Sequence, residues 1–172
     1  MYIKTNEGLG QATMLYGPIA GVLGDDLPKP AVDSSAVTGC ETAARPFDDF
    51  AFKSADVPAK HKPRIKELAQ IIVNSWVTNP NGAIRTVCLE GHTDSVGSPD
   101  SNKRLGLARA KQLRGEMKKA IFEEAKTTGF PQQITDSVTI IVTSKGEANP
   151  VASNTTSLGR RRNRRVRFAF ST

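Results

Sequence analysis

The chain has 172 residues, 38% of them apolar and 24% charged, with a formal net charge of +7. Its mean hydropathy is −0.36 and its pI about 9.6. That length suits one domain with a sizeable core and an extra arm. No run reaches the roughly 18 apolar residues of a membrane helix, and the basic balance suits an acidic partner (nucleic acid, anionic lipid or a polyanionic wall polymer) as well as it suits solubility alone.

Residues 1–45 read as an irregular arm or linker with room for one short helix or strand, because Gly, Pro, Ser and Asp interrupt every apolar run. Within it, "MLYGPIAGVLG" (Met14–Gly24) lacks the basic flank and cleavage site of a secretory signal. Either the protein is made without a signal or this chain is a piece of a longer one.

"FDDFAF" (Phe47–Phe52) has the character of a short strand. Ile65, Leu68, Ala69, Ile72 and Trp76 then share one helical face, with Pro63 in the first turn and "NPNG" (Asn79–Gly82) ending the helix. A second strand spans Ala83–Gly91, with Val87 and Leu89 on one face and Thr86 and Cys88 on the other. After the "DSVGSPDS" loop, Asp100 or Ser101 should cap a helix from about Asn102 to Lys126. Its apolar stripe is Ala110, Leu113, Met117 and Ile121; Lys103, Arg104, Lys111 and Arg114 lie off it. "TTGFPQQITD" breaks the chain, and Ser137–Ser144 forms a third strand. A loop with a short helical segment follows, then a half-exposed strand, Arg164–Phe170. The order β-α-β-α-β-(α)-β predicts a layered α/β sheet with helices on one face.

Cys40 and Cys88 are either one disulfide or two separate buried thiols. Neither a C-x-x-C pair nor a Cys/His ligand spacing is present, so no structural zinc site is expected. His92 and Asp94, just after the second strand, raise three options: catalysis, metal binding or ligand capture. Two histidines are too few for most catalytic metal sites. No Ser or Cys nucleophile has a recognisable context, and the G-x-S-x-G elbow is absent. The basic run "GRRRNRRVR" (Gly159–Arg167) points to nucleic acid, but the stacking aromatics of a single-strand platform are sparse.

Two long blocks carry a family resemblance. "LEGHTDSVGSPDSNKRLGLARA" resembles G-H-T-D-x-x-G-x-x-x-x-N-x-x-L-S-x-x-R-A, and "KGEANPVASNTTSLGRRRNRRV" resembles G-x-x-x-P-x-x-x-N-x-T-x-x-G-R-x-x-N-R-R-V. Both are patterns of the OmpA-like peptidoglycan-binding domain, and "FAFKSADVPAKHKPRIKELA" is a weaker match to its opening. The resemblance covers roughly residues 46–170, placing the domain at 46–172 after the arm. It implies a mixed βαβαβ(α)β sheet whose last strand lies antiparallel between the first and second. It also accounts for Arg160, Arg164 and Arg165, leaving only Arg161, Arg162 and Arg167 for a nucleic-acid reading.

By resemblance the ligand is the peptide stem of peptidoglycan, held through diaminopimelate. Asp94 takes its ammonium and Arg109 its carboxylate. Thr93 and Asn102 add neutral hydrogen bonds, Arg164 lies near the same pocket, and His92 is structural. The spacing agrees: Asn102 and Arg109 are nearly two helical turns apart, on one face and roughly 10 Å apart along the axis, and Asp94 follows a strand's carboxyl end. The chain departs from the family at Ala51 and Lys53, where polar Asn or Asp is usual, and at Gly106, which replaces a Ser. Ala51 implies a lost contact, Lys53 a preference for carboxylate, and the small Gly106 an opened pocket wall. The segment from Glu116 to Ser137 is longer than the family's.

The expectation is therefore a non-catalytic anchor with no metal or cofactor, located in the periplasm or cell envelope, with its export signal or membrane anchor outside this chain. Its partner is peptidoglycan, with envelope proteins as further partners, no nucleic acid, and a monomeric or homodimeric state. The alternative is an OmpA-like fold used as a protein-interaction module without wall binding.

Overall fold

Helical periodicity and strand alternation decide which side of each element turns inward. The computed structural model describes Cys40 and residues 42–172. Most of the arm expected over 1–45 therefore lies outside the described residues. The elements are β1 (Thr42–Phe47), α1 (Lys62–Thr78), β2 (Thr86–His92), α2 (Pro99–Ala125), α3 (Pro131–Ser137), β3 (Thr139–Gly146), α4 (Ser157–Asn163) and β4 (Val166–Ser171).

The sheet order is β1-β4-β2-β3. β4 runs antiparallel to β1 and β2, and β2 runs parallel to β3. This is the strand order the resemblance implied. Ile65, Leu68, Ala69 and Ile72 of α1 and Ala110, Leu113, Met117 and Ile121 of α2 join Val87, Leu89, Phe168 and Phe170 in one core. Periodicity therefore identified the inward faces of both long helices.

The first strand differs from expectation. It ends at Phe47 instead of beginning there. Phe47 and Phe50 are both fully buried in the same core. Residues three apart in a strand face opposite sides, so the chain has to turn between them. Asp49 (φ 59°) and Lys53 (φ 57°) supply left-handed conformations in this stretch.

Other boundaries move by a few residues. Ser98, not Asp100 or Ser101, caps α2: its hydroxyl accepts from Ser101 N at 3.3 Å, and Pro99 fits the first turn. The expected break at "TTGFPQQITD" contains α3, whose sole buried residue is Ile134. One apolar residue gives no period to read. β4 is a central strand, so Val166, Phe168, Ala169 and Phe170 are all buried where a half-exposed strand was expected.

Cys40 and Cys88 form a disulfide, with Cα atoms 6.1 Å apart. Cys88 pairs in register with Ala169, and the three residues form a small apolar cluster separate from the main core. The bridge thus lies on the sheet face away from the helices. No helix among the described residues is long and apolar enough to cross a membrane.

Candidate ligand-binding site

Two glycines set the site's geometry. A Cβ on Gly91 of β2 would stand 1.8 Å from the carbonyl oxygen of Gly106, and one on Gly106 would stand 2.9 Å from Gly91 O and 2.3 Å from Ser144 Oγ. Only hydrogen at both positions lets α2 lie this close to the sheet. Gly106 therefore closes a helix–strand contact, which corrects the expectation that it opens the pocket wall. Beyond β2 the backbone stays anchored: His92 N donates to Arg165 O at 2.8 Å and Thr93 N to Gly146 O at 2.9 Å.

Asp94 is buried. Its Oδ2 accepts from Arg164 Nη1 at 2.8 Å, and its Oδ1 accepts from Val96 N at 3.3 Å. The Nε of Arg164 donates to Phe50 O at 2.7 Å. One guanidinium thus ties the chain after β1 to the chain after β2.

Arg109 is fully buried. Its Nε donates to Ser54 O at 2.9 Å, Nη1 to His92 O at 3.0 Å and Nη2 to Ala51 O at 3.0 Å. Its guanidinium lies 5.4 Å from the centre of the Phe50 ring. Burial, and then the nearby Arg164 charge, push the Arg109 guanidinium down to about 10, against the pull of Asp94. It stays cationic at neutral pH. Ala51, whose side chain was expected to lose a contact, supplies a carbonyl to this fork. Lys53 points elsewhere, its ammonium 5.3 Å from the centre of the Phe52 ring.

Asn102 is buried and its Nδ2 donates to Glu147 Oε2. Thr93 Oγ1 is buried with no hydrogen-bond partner among the described residues. Of the five expected site residues, then, Asp94 and Arg164 bond directly and Arg109 lies within their electrostatic reach. Asn102 is turned to Glu147, and Thr93 holds an unused hydroxyl.

His92 is occupied elsewhere. With Nε2 protonated, its ring donates to Glu90 Oε1 at 3.1 Å, and Arg167 Nη1 donates to the same oxygen at 3.1 Å. Burial pushes the His92 imidazole down; its Nδ1 has no partner among the described residues, so a second ring proton there would find no acceptor among them. Burial works to raise the Glu90 carboxyl, but the His92 hydrogen bond and the Arg167 charge bring it below its usual value. Among the described residues no group of three or more His, Cys, Asp or Glu side chains could hold a metal ion.

A model of the OmpA family matches residues 49–164. The chain belongs to the OmpA family. An outer-membrane lipoprotein of Pseudomonas aeruginosa, YfiB, is 40% identical over 83 residues, which is 48% of this chain and 42% of the relative. The chain thus spans less than half the length of that relative. The peptidoglycan-associated lipoprotein of Burkholderia pseudomallei shares the fold at TM-score 0.54 and 21% identity, over 76% of this chain and 91% of that one. The carboxy-terminal domain of Helicobacter pylori MotB does so at TM-score 0.54 and 21% identity, over 74% and 84%.

The OmpA-family blocks contain partners that the sequence reading passed over. Asn163 Oδ1 accepts from Val151 N at 2.8 Å and Ala152 N at 3.0 Å, while its Nδ2 donates to Asn154 Oδ1 at 2.9 Å. Asn154 Oδ1 also accepts from Ser95 N at 3.3 Å. One asparagine pair therefore fixes the loop after β3 against the loop that carries Asp94. Glu90 and Glu147 were missed as well. Glu90 sits inside an apolar strand pattern, and its pairing with Arg167 depends on strand order.

Proposed function

We propose that this chain binds peptidoglycan non-covalently through the diaminopimelate of its peptide stem, and so anchors an envelope protein or complex to the wall. The observation that carries the reading is the buried Asp94–Arg164 pair, with the Arg109 guanidinium beside it, at the end of β2 in an OmpA-family chain. The names of a peptidoglycan-associated lipoprotein and an outer-membrane lipoprotein among its likenesses support the same reading.

The charge balance supports it too. One carboxylate among two guanidiniums leaves a net positive site, which favours a ligand carboxylate, while Asp94 offers the only acidic oxygens that the described residues place at the pair for an ammonium. In this reading Asp94 receives the ammonium, and Arg109 and Arg164 hold the carboxylate. Each terminal nitrogen of Arg109 makes one hydrogen bond and keeps one N–H. Because Arg109 is covered, its engagement requires the Ala51–Ser54 turn to shift. Thr93 Oγ1 and Asn102 contribute neutral hydrogen bonds, and His92 stays structural, so the function is binding and not catalysis. The setting is the periplasm or cell envelope.

Backbone amide spectra of the ¹⁵N-labelled full chain, titrated with a diaminopimelate stem peptide, test this. Shifts should concentrate at Ala51–Ser54, Thr93–Val96 and Asn102. Shifts confined to other surfaces, or none from a folded chain, would refute the reading. The burial of Arg109 favours one second reading, an OmpA-like fold used as a protein-interaction module. Under it the spectra would not respond to any stem peptide.

A further inference from the structure

Helix α2 carries a feature that the pocket does not use. Lys103, Arg104, Lys111, Arg114 and Lys118 make no ion pair or side-chain hydrogen bond with any described residue. Lys119 on the same helix and Lys126 at its C-terminal cap do, with Glu116 at 3.6 Å and Glu123 at 2.7 Å. Four of the five unpaired cations are exposed and Arg114 is half-buried. At about 100° per residue the five fall within an arc of about 100°, in a row about 22 Å long. Glu116 is the only carboxylate between Lys103 and Lys118, and it projects about 120° off that arc.

Solubility alone does not call for this pattern. Lys111, Arg114 and Lys118 stand three and four residues apart, a like-charge spacing that works against a helix. Farther along, α2 mixes glutamates among its lysines. A row of fixed cations instead matches a linear polyanion, because separate weak contacts to one chain reinforce each other through effective concentration. The row starts one residue after Asn102, next to the candidate pocket.

We propose that this row is a second contact with the wall, taking carboxylates of stems that neighbour the one held near Asp94. The proposal rests on the wall-binding reading above. The pocket selects the stem; the row adds salt-sensitive retention on the intact polymer without contributing to the affinity for one isolated stem peptide.

The test compares the full chain with K103Q/R104Q/K111Q/K118Q. Cosedimentation with purified sacculi would be measured from about 50 to about 300 mM salt, a range over which exposed charges become screened. The Gln variant should lose about tenfold in low-salt retention and flatten its salt dependence, with unchanged affinity for an isolated stem peptide and a Tm no lower than that of the wild type. The charge-preserving K103R/R104K/K111R/K118R should behave as wild type. Unchanged sacculus retention in the Gln variant would overturn the proposal, as would an equal loss in the charge-preserving one. So would loss of binding to phosphatidylglycerol vesicles with sacculus retention intact, which would assign the row to a lipid surface. A wild type that ignores the stem peptide but shows charge-dependent sacculus retention would refute the pocket reading and leave the row standing.

Discussion

Arg164 donates to Asp94 across 2.8 Å while its Nε holds the carbonyl of Phe50, so one guanidinium links the pocket's acid to the chain leaving β1. Among the described residues Asp94 has the only carboxylate bonded to this guanidinium, and Arg109 lies close enough to be affected by both. Removing the acid from such a buried pair leaves uncompensated cations. Asp94→Ala should therefore cost about 3 kcal/mol of stability, read from urea unfolding. A cost near zero would mean that the pair is solvated.

Gly91 and Gly106 touch backbone to backbone, so side chains at either position must push α2 off the sheet. Gly91→Ala places a methyl against a carbonyl that has no rotamer to move. It should destabilise by about 3 kcal/mol, at the upper end of overpacking costs. Gly115, exposed in the same helix, has nothing within 4 Å of its would-be Cβ. Gly115→Ala should stabilise by about 0.5–1 kcal/mol. Paired chemical denaturation curves check both signs.

Acidification should weaken the fold through its histidines. Burial lowers His92 and His61 from the ordinary 6.5, so below that pH the unfolded chain takes up protons that the folded chain resists. Glu90, also lowered, acts in the same direction at lower pH: its contribution is present above its unfolded value and is lost as the pH falls through its folded one. Tm should be flat above about pH 7 and fall as the pH drops below about 6.5. His92→Gln should shallow that fall, and an unchanged pH profile would contradict the assignment.

The Cys40–Cys88 bridge closes a separation of 48 residues and joins the chain just before β1 to β2, two strands away in the sheet. Cys40→Ala/Cys88→Ala should lose about 2–4 kcal/mol, chiefly by freeing the unfolded chain. Reduction of the wild type should lower Tm to match, and thiol alkylation after reduction should add two labels to the mass.

What the sequence could convey follows from the range of each signal. The inward faces of α1 and α2 were legible because apolar periodicity is local and long in both. The first strand was misplaced because Phe47 and Phe50 look like strand residues, and only their shared burial shows that the chain turns between them. The motif blocks put Asp94 just after β2 and Asn102 and Arg109 on the following helix, where the structure has them. They could not show that Arg109 spends three donors on carbonyls of Ala51, Ser54 and His92. Those partners are 58, 55 and 17 residues away, and bonds of that reach come from topology. The meeting of Gly91 and Gly106 was hidden for the same reason, so a residue that packs backbone on backbone read as an opening.

The most direct test of the central claim is calorimetric titration of the full chain with a diaminopimelate stem peptide and, separately, with its lysine counterpart, on wild type and Asp94→Asn. Saturable heat with the diaminopimelate stem is expected, at least about tenfold weaker with the lysine stem, which lacks the second carboxylate, and similarly weakened in the variant. Equal binding of the two stems, or a folded wild type that binds neither, would contradict it.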